Sequence, residues 1–304
     1  MVNVVSKTRL FLIGNGLDLA HGLPTKFNPH FKDIALNKEI DGRFWDIYQT
    51  EEADIWSDFE SLLAKPDFNE LGQIFDAHTP DYLSDHEYDR DSIITQANLS
   101  GKLNEALLVF AAKAERELSS AKPLGKYRNL FTKNDLYVNF NYTHTLEKLY
   151  EITNDRVLHI HGEAGGSNKL LLGYDTADFN AGSISEDVTK HGQYRNVLTK
   201  EYIEGIEDIY IRKAYESLYG NISSWGKPLQ TDMLSLFVGD AAIDEIVVIG
   251  FSFGKVDAPY FNLLQKLKPS CKFTVTAHEK DLIVEYQAKI NAHYAIVNYQ
   301  IELL

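Results

Sequence analysis

Asn141, His161 and Asp18 are the side chains best suited to positioning, base and charge-stabilising work on a small substrate, and each lies among small residues after an apolar run. Asn141 sits in Asn139-Phe140-Asn141-Tyr142-Thr143, where an amide that both donates and accepts can orient a ribose hydroxyl or an attacking water. His161 stands immediately before Gly162 in His159-Ile160-His161-Gly162, a setting for a general base at a strand's carboxyl edge. Asp18 follows Gly14-Asn15-Gly16-Leu17 and precedes Gly22-Leu23-Pro24. A fourth segment, Gly250-Phe251-Ser252-Phe253-Gly254, is followed by Asp257. Four such segments in this order suggest a nucleotide site at the edge of an α/β sheet, where strand ends meet loops.

Each segment also has a plainer reading. Gly14 and Gly16 let backbone approach a phosphate or ribose with exposed N–H groups, but they equally suit a tight turn leaving a strand. The dinucleotide fingerprint needs a third glycine, and Leu19 occupies that position. Asp18 suits a helix cap or a solvated loop, and Asn141 a strand end or a helix cap. His159 and His161 alternate on an expected strand and so share a face; a metal there lacks convincing further ligands. Gly250 to Gly254 matches the Gly-x-Ser-x-Gly nucleophile elbow in letters, with Ser252 as nucleophile, yet the triad would need His278 or His293. Glu60, in Trp56-Ser57-Asp58-Phe59-Glu60, is either a surface carboxylate or one that reaches into the site.

The elements that must position these groups follow from hydrophobic periodicity. Thr8–Ile13 and Asp244–Ile249 are apolar runs ending at glycine, the pattern of buried parallel strands. Leu136–Phe140, Arg156–Ile160, Lys272–Ala277 and a stretch near Ala295–Ile301 read as further strands. Helical spacing covers 45–75, a long segment with Ile94, Ala97, Leu103, Leu107, Phe110, Ala114 and Leu118 as its buried stripe, Thr145–Tyr150, Lys200–Leu218, Thr231–Val238, Pro259–Leu267 and Asp281–Ile290. Residues 76–91 read as an exposed acidic excursion. The alternation predicts one Rossmann-like α/β domain over 1–304, mostly parallel, with helices on both faces. Residues 28–126 form a mainly helical insertion and 163–196 an irregular flap in this reading.

Bulk properties narrow the partners. The 304 residues carry a net charge of −14, which argues against general affinity for a nucleic-acid backbone. Cys271 is the one cysteine, so an intrachain disulfide and a four-cysteine metal module are both excluded. No apolar window reaches the length of a membrane helix and no secretory leader is visible, so a cytoplasmic protein is expected.

Taken together, the segments resemble the sirtuin superfamily. Gly14-Asn15-Gly16-Leu17-Asp18 with Gly22-Leu23-Pro24 is similar to the sirtuin cofactor loop, and Asn141 and His161-Gly162 match its asparagine and catalytic His-Gly motifs. Gly250-Phe251-Ser252 matches the later nucleotide-holding Gly-Thr-Ser segment. More narrowly, Ile13 to Thr25, Trp-x-Asp-Phe-Glu from Trp56, Phe140 to Thr143 and His159 to Gly162 resemble the AbiH family of bacterial abortive infection against phage. The departures are Asp18 for the motif's serine, Thr25 and Thr143 where aspartates are usual, and the missing four-cysteine zinc module, which argues against protein deacylation.

The resemblance implies an NAD⁺ glycohydrolase-type enzyme of phage defence, with no cofactor beyond NAD⁺ as substrate. Gly14, Asn15, Gly16, Pro24, Thr143, Gly162, Gly250 and Ser252 would hold the nucleotide. Asn141 would position water or ribose, His161 would act as base, and Asp18 would stabilise the oxocarbenium-like state. Glu60, His159 and Asp257 would lie at its margin. Homo-oligomerisation and a phage-derived trigger are compatible with this reading. Two rivals stay open: a non-catalytic nucleotide sensor acting by assembly, and a metal-dependent nuclease or nucleotide hydrolase using Asp18, Glu60 and the histidines.

Overall fold

The computed structural model describes residues 8–37, 59–64, 101–174, 176 and 200–304. Trp56, Ile94, Ala97, the acidic stretch 76–91, most of the expected 45–75 helix and residues 177–196 of the expected flap lie outside the described residues. The chain forms two compact units, one of residues 1–26, 108–171 and 229–304, the other of residues 27–107 and 172–228.

The first unit is built on six strands: β1 (Thr8–Ile13), β2 (Leu136–Asn139), β3 (Val157–His159), β4 (Ile243–Ile249), β5 (Lys272–Ala277) and β6 (Tyr299–Leu303). They pair in the order β3-β2-β1-β4-β5-β6, every pair parallel. The expected Rossmann-like arrangement is therefore present, with the strand order of the doubly wound fold.

Alternation along the strands decides which residues pack on each face. Leu10, Leu12, Val138, Ile246, Val248 and Val275 share one core with Leu234, Phe261, Leu264 and Ile290. Phe11, Ile13, Tyr137, Val247 and Ile249 share the other with Leu17, Tyr127, Phe131 and Leu146. Apart from Phe131, these partners are carried by α1 (Gly16–Ala20), α3 (Gly125–Arg128), α4 (Thr145–Tyr150), α5 (Thr231–Val238), α6 (Ala258–Leu267) and α7 (Asp281–His293), while α2 (Gly101–Glu117) precedes α3 in the chain. Leu103, Leu107, Phe110 and Ala114 of α2, and Leu118 just beyond it, are buried as their spacing predicts. At the amino end of the sheet, Arg9 is tied to buried Asp135 by an ion pair of 2.7 Å. Cys271 is structural: its buried thiol donates to the Ile243 carbonyl at 3.0 Å.

In the second unit, the rings of Phe27, Phe31 and Phe59 pack together. The single helix expected over Lys200–Leu218 is broken into Lys200–Glu204 and Ile209–Ser224. The restart is set by Asp208, whose carboxylate accepts from the N–H groups of Tyr210 and Ile211 at 2.8 and 3.0 Å. Among the described residues, no helix is long and apolar enough to cross a membrane.

Candidate functional site

β1 and β4 are neighbours whose onward connections run to opposite sides of the sheet, so their carboxyl ends bound the crevice where doubly wound folds take ligands. The turn leaving β1 and the turn leaving β4 pack backbone against backbone there. Gly14 N–H donates to the Ile249 carbonyl and Gly16 N–H to the Gly250 carbonyl, both at 2.8 Å. A Cβ on Gly16 would lie 2.5 Å from Gly250 Cα, and one on Gly250, at φ +69°, would lie 2.7 Å from Gly16 Cα. The expected exposure of the N–H groups at 14 and 16 is thus corrected: they bind the neighbouring turn, and the glycines serve the close approach of two strand ends. Asn15 uses its amide to hold the Thr25 carbonyl at 2.7 Å, which pins the loop containing buried Pro24.

The turn after β2 is organised by two asparagines. Asn139 accepts from Asn141 N–H at 3.0 Å and donates its amide to the Thr143 carbonyl at 3.1 Å. Asn141 then donates its own amide to the Gly14 carbonyl at 3.0 Å, joining this turn to the one after β1. Asp18 is neither a cap nor solvated. It is fully buried, and its two oxygens accept from the Thr143 and Thr145 hydroxyls, each at 2.6 Å. Burial pushes this carboxyl up to about 6, and the Glu115 charge adds to that, while the two hydroxyls and the His159 charge pull it down. With both oxygens held by the α4 turn, Asp18 acts as an internal tie between the first two strand ends. Thr143 faces the same tie.

The expectation that His159 and His161 share a face is also corrected. β3 is a three-residue edge strand ending at His159, and the chain then turns through Gly162 at φ +84°. A Cβ on Gly162 would meet the Lys169 carbonyl at 2.9 Å, so glycine is required there on two counts. His159 is directed to the Asn141 carbonyl through Nδ1 (3.3 Å) and to Glu147 through Nε2 (2.8 Å). His161, 4% exposed, instead packs its ring edge against Phe140 and lies with Nε2 3.9 Å from Asp257 Oδ1. Phe140 in turn contacts Phe251, which places the His161–Asp257 pair in the same aromatic cluster as the turn after β4.

Ser252 is exposed, and its carbonyl accepts from Lys289 at 2.9 Å. In a nucleophile elbow the serine itself occupies the strained position of a turn that leads into a helix. Here the left-handed residues are Gly250 and Phe253, and a short 3₁₀ turn at Lys255–Asp257 follows, so the elbow is not formed. Glu60 belongs to the second unit, where it accepts from the buried Lys227 ammonium at 3.1 Å and from Gly173 N–H at 3.4 Å.

The structure adds groups that sequence reasoning missed. His144 lies just before α4, with N–H and Nδ1 bound to Glu115 at 2.9 and 3.0 Å and Nε2 to Glu163 at 3.1 Å. Lys148 reaches the same Glu115 at 2.5 Å. Hydrogen bonding to Glu115 raises the His144 imidazole to about 9. Burial alone would raise Glu115, but the bonds from His144 and Lys148 hold it down at about 2. With His159 and Glu147, these side chains form one polar cluster at the carboxyl ends of β2 and β3. A signal was present in the i, i+3 pair His144 and Glu147 and in the alternation His159, His161, Glu163. Their convergence depends on the pairing of β2 with β3, which the sequence does not state.

The family model for bacteriophage abortive infection AbiH matches residues 10–277, which includes every one of these strand-end segments. No curated protein matches the chain. From β1 to the end of β5, the chain belongs to the AbiH family of bacteriophage abortive infection proteins.

Proposed function

We propose that this chain serves abortive infection as a sirtuin-like enzyme that hydrolyses the nicotinamide–ribose bond of NAD⁺. The observation that carries the reading is the His161–Asp257 pair, 3.9 Å apart, at the carboxyl edge of a sheet with the dinucleotide-binding strand order. The nucleotide lies across the crevice at the ends of β1 and β4. The tightly packed glycine turns keep its floor low, and Ser252 is an exposed hydroxyl on the β4 side.

Cleavage breaks the C1′–N bond, nicotinamide leaves with the bonding pair, and water adds to C1′ through an oxocarbenium-like state. His161 takes the proton from that water or from a ribose hydroxyl, and the Asp257 carboxylate beside it orients the imidazole. Asn141 positions the turn beside the reacting ribose. Asp18, enclosed by Thr143 and Thr145, contributes architecture instead of charge at the reacting carbon.

Incubation of the full chain with NAD⁺ and chromatography of the products, at several protein concentrations and with and without chelator, tests this. The wild type should release nicotinamide and ADP-ribose. His161→Ala should abolish that loss, Asn141→Ala should abolish it with the fold intact by circular dichroism, and Asp257→Asn should slow it about 10²–10⁴-fold. Unchanged NAD⁺ consumption in both His161→Ala and Asn141→Ala refutes the assignment. Tight NAD⁺ binding without turnover replaces it with a nucleotide sensor.

A further inference from the structure

We infer that His144, His159 and Glu163, with Glu147 beside them, form a binding site for one divalent transition-metal ion of the zinc class. His144 Nε2 and His159 Nε2 lie 3.1 and 3.8 Å from the same oxygen of Glu163, and the three ligand atoms are all within 4.8 Å of one another. Ligands on a tetrahedral zinc ion with Zn–N bonds near 2.0–2.1 Å sit roughly 3.3 Å apart, so the spacing needs only small adjustments. Two imidazoles and carboxylate oxygens are a donor set for zinc-class ions, not for magnesium or calcium.

The outer contacts are those of a metal site. A ligating imidazole is normally oriented by an acceptor on its other nitrogen. His144 Nδ1 has the Glu115 carboxylate at 3.0 Å, and His159 Nδ1 has the Asn141 carbonyl at 3.3 Å. Each ring therefore donates from Nδ1 and turns Nε2 toward a carboxylate, Glu163 for His144 and Glu147 for His159. Glu147 Oε2 is buried without a hydrogen-bond partner among the described residues. Charge balance points the same way. Of the three carboxylates, Glu115 is paired with Lys148, which leaves the two negative charges of Glu147 and Glu163 facing the imidazoles. One divalent ion compensates them; so do two imidazolium protons, and the experiment separates these cases. When bound, the ion would fasten α4 to the end of β3 and to Glu163, two residues beyond His161.

The site does not rest on the NAD⁺ reading, and its test uses no turnover. Full-length protein is stripped with chelator, dialysed, and titrated with ZnCl₂, with bound metal counted by mass spectrometry. One zinc per chain is expected. His144→Ala and Glu163→Gln should each weaken binding at least tenfold, and Glu115→Gln about 10–100-fold through loss of its hold on His144. Glu163 is 39% exposed on its side chain, so its substitution leaves the fold intact, which circular dichroism verifies. CoCl₂ should give visible d–d absorption that His144→Ala removes. Absence of stoichiometric zinc, or zinc binding unchanged in both His144→Ala and Glu163→Gln, overturns the proposal and leaves the two-proton cluster. Binding of MgCl₂ in preference to ZnCl₂ overturns it as well.

Discussion

Replacing Asp18 by asparagine should change how stability depends on pH. The carboxyl sits at about 6 in the folded protein against an ordinary value of 3.8. A carboxyl raised by folding favours the native state when protonated and opposes it when ionised. Its contribution is therefore complete below pH 3.8 and is lost as pH rises through about 6. The difference between the two values corresponds to about 3 kcal/mol of lost stability at pH 7. Asparagine keeps the shape, and an amide can still accept from one threonine hydroxyl and donate to the other. Urea unfolding of the wild type and Asp18→Asn should be followed by far-ultraviolet circular dichroism from pH 3.5 to 7.5, in chelator so that the neighbouring histidine–glutamate cluster stays in one state. Other groups titrate in both proteins, and the charges facing Asp18, Glu115 and His159, remain in both. The variant-minus-wild-type stability should thus be flat at the acid end, rise between about pH 4 and 6, and level off about 3 kcal/mol higher. A difference that is flat throughout, or that rises toward acid, would refute the account of Asp18 as a buried tie with a raised pKa.

Gly16→Ala should cost about 1–3 kcal/mol or more, because its Cβ meets Gly250 backbone that cannot move freely. Gly22→Ala, at φ +75° with nothing within 4 Å of its Cβ, should cost only about 1 kcal/mol; denaturant midpoints compare the two. Asp135→Ala removes the acceptor for Arg9 and for the Thr132 hydroxyl, and should lower stability by about 3 kcal/mol in the same assay. Asp208→Ala should fray the start of the Ile209–Ser224 helix at a cost of about 1 kcal/mol, read as faster amide exchange at Tyr210 and Ile211.

The parallel sheet was legible because its central strands are unbroken apolar runs that can only be buried on both faces, as at Leu10–Ile13 and Ile246–Ile249. The edge was harder to read. The period-two pattern His159-x-His161 continues past the point where β3 stops, since a three-residue edge strand has one neighbour to hold it and Gly162 turns the chain away. The Lys200–Leu218 pattern hid a break because apolar spacing persists on both sides of residues 205–208, while Asp208 restarts the hydrogen bonding. Asp18 was visible as a functional type of residue, but its burial was not: whether a carboxylate meets solvent or two threonines depends on β2 lying next to β1. The four strand-end segments do converge, yet through backbone and amide contacts that residue types alone do not specify.

Asn141 shows why the architecture and the chemistry of this site must be separated by choice of variant. Its amide holds the Gly14 carbonyl, its N–H is held by Asn139, and its carbonyl meets His159. It is thus the joint between the switch-point turn and the histidine–glutamate cluster. Loss of activity in Asn141→Ala follows equally from a lost ribose contact or from a displaced Gly14 turn. The His161 ring and the Asp257 carboxylate meet each other beside Phe140 and Tyr260. A defect in Asp257→Asn that spares NAD⁺ binding but slows turnover therefore locates the chemistry at His161. A defect confined to Asn141 variants, accompanied by weaker zinc binding, assigns that residue to positioning.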